Sequence, residues 1–249
     1  MTELSLPPER RPRHIAIIMD GTGRWAESRG QSRRDGHRAG VEAVKTVVRA
    51  AREWNIAWLT LYAFSSENWN RPRMEIRALM RLPDLYFETE LANSIENGIR
   101  IRCIGQQERL PRHVRRTLAR AVEATRDNSD MELVFALSYG GRSELVDAAR
   151  RLARRVENGV LSAEAIDEKA LAAHLDEPEL PDVDLLIRTG GEARVSNFLL
   201  WQSAYAELYF SPTMWPDFGR ASLAEAIEWY AERERRFGRI SAQLPPECP

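Results

Sequence analysis

The chain has 249 residues, 43% of them hydrophobic, with 36 lysines and arginines against 37 acids. That length suits one large α/β domain or two small ones, and the apolar content is enough for a sizeable core. A formal net charge of −1 provides no global field for nucleic acid or an acidic membrane, and two cysteines far apart, Cys103 and Cys248, make no disulfide framework and point to a reducing compartment.

No N-terminal stretch reads as a signal peptide and no run approaches membrane-spanning length, so a soluble, cytoplasmic protein is expected. Residues 1–13, with Arg10–Arg13, read as an irregular N-terminal arm. The first strand is predicted over Ile15–Met19. It ends in Asp20, then Gly21-Thr22-Gly23 and Arg24, then Trp25. Glycines let a backbone turn tightly and approach a ligand. An acid for a cation, free amides for oxyanions and an arginine for phosphate thus fall within five residues, which is the chemistry of a metal-bound diphosphate. Taken by itself the stretch also reads as a plain strand-to-helix turn. It matches neither the dinucleotide fingerprint nor the Walker pattern, which disfavours a nucleotide-binding phosphotransferase or hydrolase.

A helix is predicted over Gly36–Trp54, with Val44, Val47, Val48 and Ala51 on one stripe. Its start attracts anions, and Arg33 and His37 lie there. A strand over Ala57–Phe64 leads into Ser65-Ser66-Glu67-Asn68-Trp69-Asn70-Arg71-Pro72. This is either a capping loop, since serines cap well, or a mobile ligand-closing loop. Arg73–Asn97 is the longest helical pattern, and Pro83 is expected to kink or split it. Further strands are expected at Ile99–Ile104, Leu133–Leu137, Asp184–Ile187 and Ala206–Phe210, and further helices at Pro111–Asp127, Arg142–Asn158 and Ser222–Arg236. Cys103 falls in an apolar strand and reads as a buried thiol. Arg112, Arg115, Arg116 and Arg120 read as a solvated helix face.

Several strands are apolar on consecutive positions, as central strands covered on both faces are. Their alternation with helices predicts a single α/β domain, residues 14–240, with a mostly parallel sheet of about six strands flanked by helices; residues 241–249 form a C-terminal tail. Ligands bind such sheets beyond the carboxyl ends of the strands, where Asp20, Ser65, Arg188 and Thr189 fall. Arg188 and Arg194, with Ser196 and the Gly190-Gly191 turn, form a second anion site, because the arginine fork grips phosphate oxygens in two places. Glu207 sits inside an apolar strand, either at an exposed edge or deliberately placed, because an unpaired buried carboxylate is costly.

Several motifs occur in order: His14 to Trp25, Gly36-His-Arg-Ala-Gly40, Leu59 to Pro72, Ser138-Tyr-Gly-Gly-Arg142, Asp184 to Glu192, Arg194 to Gln202, and Ala204 to Phe210. Together they resemble the cis-prenyltransferases, specifically the bacterial undecaprenyl diphosphate synthases, from about His14 to about Gly238. The resemblance implies a Mg²⁺-dependent enzyme that condenses isopentenyl diphosphate onto an allylic diphosphate such as farnesyl diphosphate. Undecaprenyl diphosphate, the cell-wall lipid carrier precursor, is the expected product. A shorter cis-prenyl product is the alternative, and a non-catalytic partner subunit is a further one.

It also implies roles. Asp20 holds Mg²⁺, with Glu207 as a second metal-associated acid. Gly21, Thr22, Gly23, Arg24, Trp25, Arg33 and His37 serve the allylic diphosphate. Ser65, Ser66, Glu67, Trp69 and Arg71 contact substrate, and Arg188, Arg194, Val195 and Ser196 serve isopentenyl diphosphate. The family assigns proton removal to the position of Asn68. A carboxamide is a poor base at neutral pH, so Asn68 can instead position an acceptor, with Asp20 or the departing diphosphate taking the proton. Thr22 and Ser138 stand where the family commonly has Asn. An apolar product tunnel is expected from Ala63, from the helix around Leu79–Phe87 with Pro83, Tyr86 and Phe87, and from the strand starting at Met131. A homodimer is expected through Phe198–Trp201 and the C-terminal strand and helix, with a transient membrane contact for product release.

Overall fold

In the computed structural model, which describes residues 3–235, six strands form one sheet. They are β1 (His14–Ile18), β2 (Trp58–Ser65), β3 (Ile99–Ile104), β4 (Met131–Tyr139), β5 (Leu185–Arg188) and β6 (Glu207–Phe210). Their order is β3-β4-β2-β1-β5-β6, and every neighbouring pair is parallel. All residues of β1 and β5 are buried, whereas β6 alternates between half-buried and exposed positions. That is the pattern of central strands covered twice and an edge strand covered once. Each expected strand is present, shifted by at most two residues at either end.

Eight helices accompany the strands among the described residues: α1 (Thr22–Ser28), α2 (Arg33–Glu53), α3 (Arg73–Leu79), α4 (Leu82–Glu96), α5 (Arg112–Ala124), α6 (Gly141–Glu157), α7 (Glu168–Ala172) and α8 (Arg220–Ala231). Helix α2 starts earlier than its apolar stripe. Ser32 accepts from the Asp35 amide, and Asp35 accepts from the Ser32 amide, so a capping box sets the first turn at Arg33 rather than at Gly36. The long pattern from Arg73 divides between Leu79 and Leu82, and Pro83 sits in the first turn of α4, where its missing N–H has no partner to lose. Helices α1 and α7 were not expected from the sequence.

Alternation along the strands sends Ile15, Ile17, Leu59, Leu61, Leu133, Phe135 and Ile187 into a large core with α2, α4, α5 and α8. Ala16, Ile18, Tyr62, Val134, Ala136 and Leu186 face the other way, toward Phe198 and Leu199. The N-terminal arm is docked rather than irregular. Leu4 is buried, Pro8–Arg10 forms a 3-10 turn, and Arg11 donates to the carbonyls of Leu6 and Trp54 at 2.8 and 2.9 Å.

The Cys103 residue is only partly buried, yet burial of its sulfur pushes the thiol up to about 12. Arg112, Arg115, Arg116 and Arg120 are exposed, as a solvated face requires. Cys248, the expected tail and the last residue of the expected final helix lie outside the described residues. No described helix is long and apolar enough to cross a membrane.

Candidate active site

Beyond the carboxyl ends of β1, β2 and β5 lies one cavity of about 1000 Å³. Asp20 reaches it because β1 stops at Ile18 and the chain turns at once. Gly21 has φ +99°, and a Cβ there would lie 2.5 Å from the Met214 sulfur, so only glycine makes this turn. Gly21 then caps α1 with no side-chain acceptor on the helix amides, which leaves the first-turn N–H groups facing the cavity rim. The turn is clamped from β5. The Thr189 hydroxyl accepts from the Asp20 amide at 2.9 Å and donates to the Asp20 carbonyl at 2.8 Å.

The Asp20 carboxylate accepts from the Gly21 amide at 2.6 Å and from Arg188 Nη2 at 2.8 Å, and Arg24 lies 3.6 Å away. Arg188 is almost entirely buried. Its other terminal nitrogen donates to the Arg194 carbonyl and to Ser196 Oγ, both at 2.6 Å, while its Nε is buried without a partner. This guanidinium therefore joins the Asp20 turn to the loop that carries Arg194 and Ser196. That is a positioning task which its reading as a plain diphosphate contact did not include.

Arg24, Arg33, His37 and Arg71 surround the mouth, each lining the cavity. Arg33 and Arg71 converge on Glu75 of α3 at 3.3 and 2.8 Å. His37 is half-buried and its Nε2 has no partner; burial lowers its pKa against the opposing pull of Glu75. A buried, unpartnered ring nitrogen at a cavity wall is an unmet hydrogen bond that a ligand can supply. Glu192 lies between Arg24 and Arg194, at 3.8 and 2.5 Å, and so bridges the two cationic loops.

The loop after β2 is a capping structure. Ser65 Oγ accepts from the Asn68 amide at 3.3 Å, and Asn68 Oδ1 accepts from the Ser65 amide at 3.1 Å. Glu67 and Asn68 line the cavity, and Ser66 and Trp69 do not. Trp69 turns its indole N–H to Ser138 Oγ at 2.9 Å and packs edge-on against Phe64. Ser138 sits in the left-handed region at φ 53° and anchors that indole. Trp25 likewise faces away, donating to Asp217 at 2.8 Å, and Val195 does not reach the cavity. Thr22 lines the cavity, but its methyl points toward Gly36 and Gly40 of α2, where it fills a gap between helices.

Two contributors escaped the sequence reading. Asn197, at φ 63°, donates to Glu67 at 2.8 Å and accepts from the Arg142 amide at 2.9 Å, and its carbonyl accepts from the Gly141 amide at 2.7 Å. Burial acts to raise the Glu67 pKa, and hydrogen bonds led by Asn197 outweigh it and hold the carboxyl low. Glu75 is the second, as the acid that gathers Arg33 and Arg71. Asn197 acts across contacts remote in sequence, and Glu75 joins its near neighbour Arg71 to Arg33, 42 positions away.

Glu207 lies apart from Asp20 within the chain. It opens β6 opposite Leu185, whereas Arg188, level with the site, pairs with Phe210. Three residues of strand, roughly 10 Å, separate Glu207 from the carboxyl end where Asp20 lies. It is half-buried on the edge strand and does not line the cavity, so within one chain it shares no cation with Asp20. Among the described residues no cluster of three or more His, Cys, Asp or Glu could hold a metal. One carboxylate beside several cations that suit a diphosphate still fits Mg²⁺, which commonly takes one or two carboxylates and completes its octahedron with phosphate oxygens and water.

The inner half of the cavity is apolar. Val41 and Val44 of α2, Ala63, Leu79, Leu82 and Pro83 line it, and Tyr86, Phe87 and Phe135 close it, packed edge to face at 5.1–5.5 Å. The strand starting at Met131 contributes Phe135 and Leu137 to this wall, while Met131 itself is buried in the core.

Residues 18–238 match the family model described as putative undecaprenyl diphosphate synthase. An isoprenyl transferase of Chlorobaculum tepidum is 51% identical over 94% of this chain and 88% of its own length. A farnesyl-diphosphate-specific ditrans,polycis-undecaprenyl-diphosphate synthase of Vibrio vulnificus is 48% identical over 98% of this chain and 97% of its own. Among solved structures, lavandulyl diphosphate synthase from Lavandula x intermedia, in complex with dimethylallyl diphosphate, superposes with a TM-score of 0.90 at 38% identity, covering 93% of this chain and all of that one. A probable undecaprenyl diphosphate synthase from Campylobacter jejuni gives 0.75 at 34% identity, over 96% of this chain and all of that one.

Proposed function

The chain belongs to the undecaprenyl diphosphate synthase family of cis-prenyltransferases, and on that premise we propose that it joins isopentenyl diphosphate to an allylic diphosphate, farnesyl diphosphate first, and repeats the step to undecaprenyl diphosphate. The observation that carries this reading is one continuous cavity, cationic at its mouth and apolar at its end. Such a shape holds two diphosphates and one growing hydrocarbon. The non-catalytic alternative has little need for a buried arginine, an unpartnered histidine nitrogen and an accessible carboxylate in one cleft.

Arg24, Arg33, His37 and the first amides of α1 hold the allylic diphosphate, and His37 Nε2 finds its missing partner there. Arg194 and Ser196 hold isopentenyl diphosphate, on a loop fixed by Arg188 and Asn197. Mg²⁺ would sit on Asp20 and the diphosphate oxygens, and when bound it stabilises charge on the leaving group. The arginines around it are placed before the reaction, so charge on the leaving diphosphate meets dipoles and cations that need not reorganise. The alkene of isopentenyl diphosphate attacks the allylic carbon, diphosphate leaves, and a proton is lost to set the new cis double bond. Asn68 Oδ1 is engaged by the Ser65 amide, so Asn68 orients the acceptor rather than taking the proton.

We place the protein in the cytoplasm as a homodimer. Phe198 and Leu199 are fully buried in the chain's own core, so they are not free to form the contact. Leu208 and Phe210, exposed on edge strand β6, support an interface there. Radiolabelled isopentenyl diphosphate with farnesyl diphosphate and Mg²⁺, resolved by chain length, tests the reading. A ladder ending at undecaprenyl diphosphate is expected. A stop after one or two additions identifies a short-chain enzyme halted by the Tyr86, Phe87 and Phe135 cluster, and no incorporation overturns the reading.

A further inference from the structure

Helix α3 has two unlike faces. Glu75 and Leu79 look into the cavity, while Arg73 and Arg77, one turn apart, and Arg81 at the next turn are exposed on the opposite side. The side chains of these three arginines have no hydrogen bond, ion pair or ring contact among the described residues. Between them stands Met74, 83% exposed, the most exposed large hydrophobic residue described.

The patch continues onto the amino end of α5. Arg109 lies over the Trp69 ring at 5.3 Å, just before α3, and His113 Nε2 lies 3.3 Å from the Met80 carbonyl, just after it. Arg112, exposed, stands between those two contacts in the chain. The exposed acids on the adjoining elements are Glu67, Glu88, Glu96, Glu108 and Glu123, and half-buried Asp84 lies 3.6 Å from His113 Nε2. A chain of net charge −1 thus gathers unpaired cations around one apolar side chain, on the outside of the helix whose inside lines the cavity.

We propose that this face docks on an anionic lipid bilayer, so that the cavity lip lies against the membrane when the hydrocarbon product leaves. The part about product rests on the function proposed above; the docking does not. Arginines attract the negative surface, and an unbranched, exposed methionine can enter the headgroup boundary. Nucleic acid would reward the arginines but leave Met74 without a role, so a bilayer is the better match.

The test uses the full chain with sedimented vesicles of phosphatidylcholine, with and without an equal share of phosphatidylglycerol, and without substrate. Binding only to the phosphatidylglycerol vesicles is expected. Raising salt from about 0.1 M to about 1 M, which shortens the Debye length from roughly 10 to roughly 3 Å, should release the protein. Replacing Arg73, Arg77 and Arg81 together by Gln should weaken binding by about 100-fold, because each arginine near such a surface contributes about fivefold. The same variant should elongate normally in detergent. Its unfolding midpoint in urea checks the fold, and Met74→Gln, with all charges kept, should weaken binding several-fold. Equal binding to both vesicles, no binding at low salt, an unaffected triple variant, or release of vesicle-bound protein by excess single-stranded DNA through these same arginines would overturn the proposal. An unsubstituted chain that elongates normally but binds neither vesicle rejects docking alone, and one that binds the phosphatidylglycerol vesicles but does not elongate rejects the proposed function alone.

Discussion

Arg188 Nη2 stands 2.8 Å from Asp20 Oδ2, and the arginine is 4% exposed while the Asp20 side chain keeps about a third of its surface open to the cavity. A buried cation therefore aims an accessible carboxylate. Asp20→Ala should lower kcat by about 10³-fold or more, the scale of losing a preorganised electrostatic group. It should also reduce stability by about 1–3 kcal/mol, because Arg188 loses a charged partner. Asp20→Asn keeps a hydrogen-bond acceptor and should lose turnover with less stability cost. Full turnover in Asp20→Asn would remove the carboxylate from the chemistry.

Gly36 lies in the first turns of α2, and a Cβ there would come within 2.5 Å of the Thr22 carbonyl. That neighbour is backbone, so α1 must move. Gly36→Ala should cost about 1–3 kcal/mol in overpacking, read from the urea midpoint. Because α1 carries Arg24 and α2 carries His37, the KM for the allylic diphosphate should rise more than that for isopentenyl diphosphate. An equal rise for both would mean that the helix pair does not serve one site.

Asn197 ties the Glu67 loop and the start of α6 to the loop of Arg194 and Ser196. Asn197→Ala should raise the KM for isopentenyl diphosphate by about tenfold, consistent with about 1.4 kcal/mol of lost positioning. Alanine also tolerates φ 63° poorly, whereas glycine adopts it freely. Asn197→Gly is therefore the control. If it restores the wild-type KM, backbone strain is the cause and the clamp is not.

His14 is fully buried, and burial lowers its pKa from 6.5 to about 4. Its Nδ1 faces the Pro181 carbonyl at 2.9 Å and must donate, so Nε2 accepts from the Thr60 hydroxyl at 2.8 Å. The unfolded chain takes up this proton below pH 6.5 and the folded one only near pH 4. Stability should therefore be complete above pH 6.5 and fall as pH drops toward 4, by about 3 kcal/mol in all. Urea midpoints across that window measure it, and His14→Gln should flatten the slope. An unchanged slope in that variant would assign the effect to other groups.

The strands were legible because burial on both faces demands unbroken apolar runs such as Ile15–Ile18, and Asp20, Ser65 and Arg188 were legible because such runs end in polar residues at the site. Helix α1 was hidden inside its glycines, which read as a loop until Gly21 alone makes the turn. Asn197 was hidden because its partner Glu67 lies 130 positions away. Glu207 stood out as an acid among apolar neighbours, and its half-buried place on an outer strand is one of the two settings that pattern allows.

The placing of β1 at the centre of the sheet also governs how late the protein can mature. Ile15 pairs with Leu59 on one side and with Leu185 on the other. A nascent chain can seat the first of these neighbours early, but the second only after most of it has been synthesised. Asp20 meets Arg188 at the same moment. Such long sequence separations slow folding and leave apolar strands uncovered in the meantime. The catalytic cleft is thus among the last parts to close, and a truncated chain ending before β5 would expose the apolar edge of its own first strand.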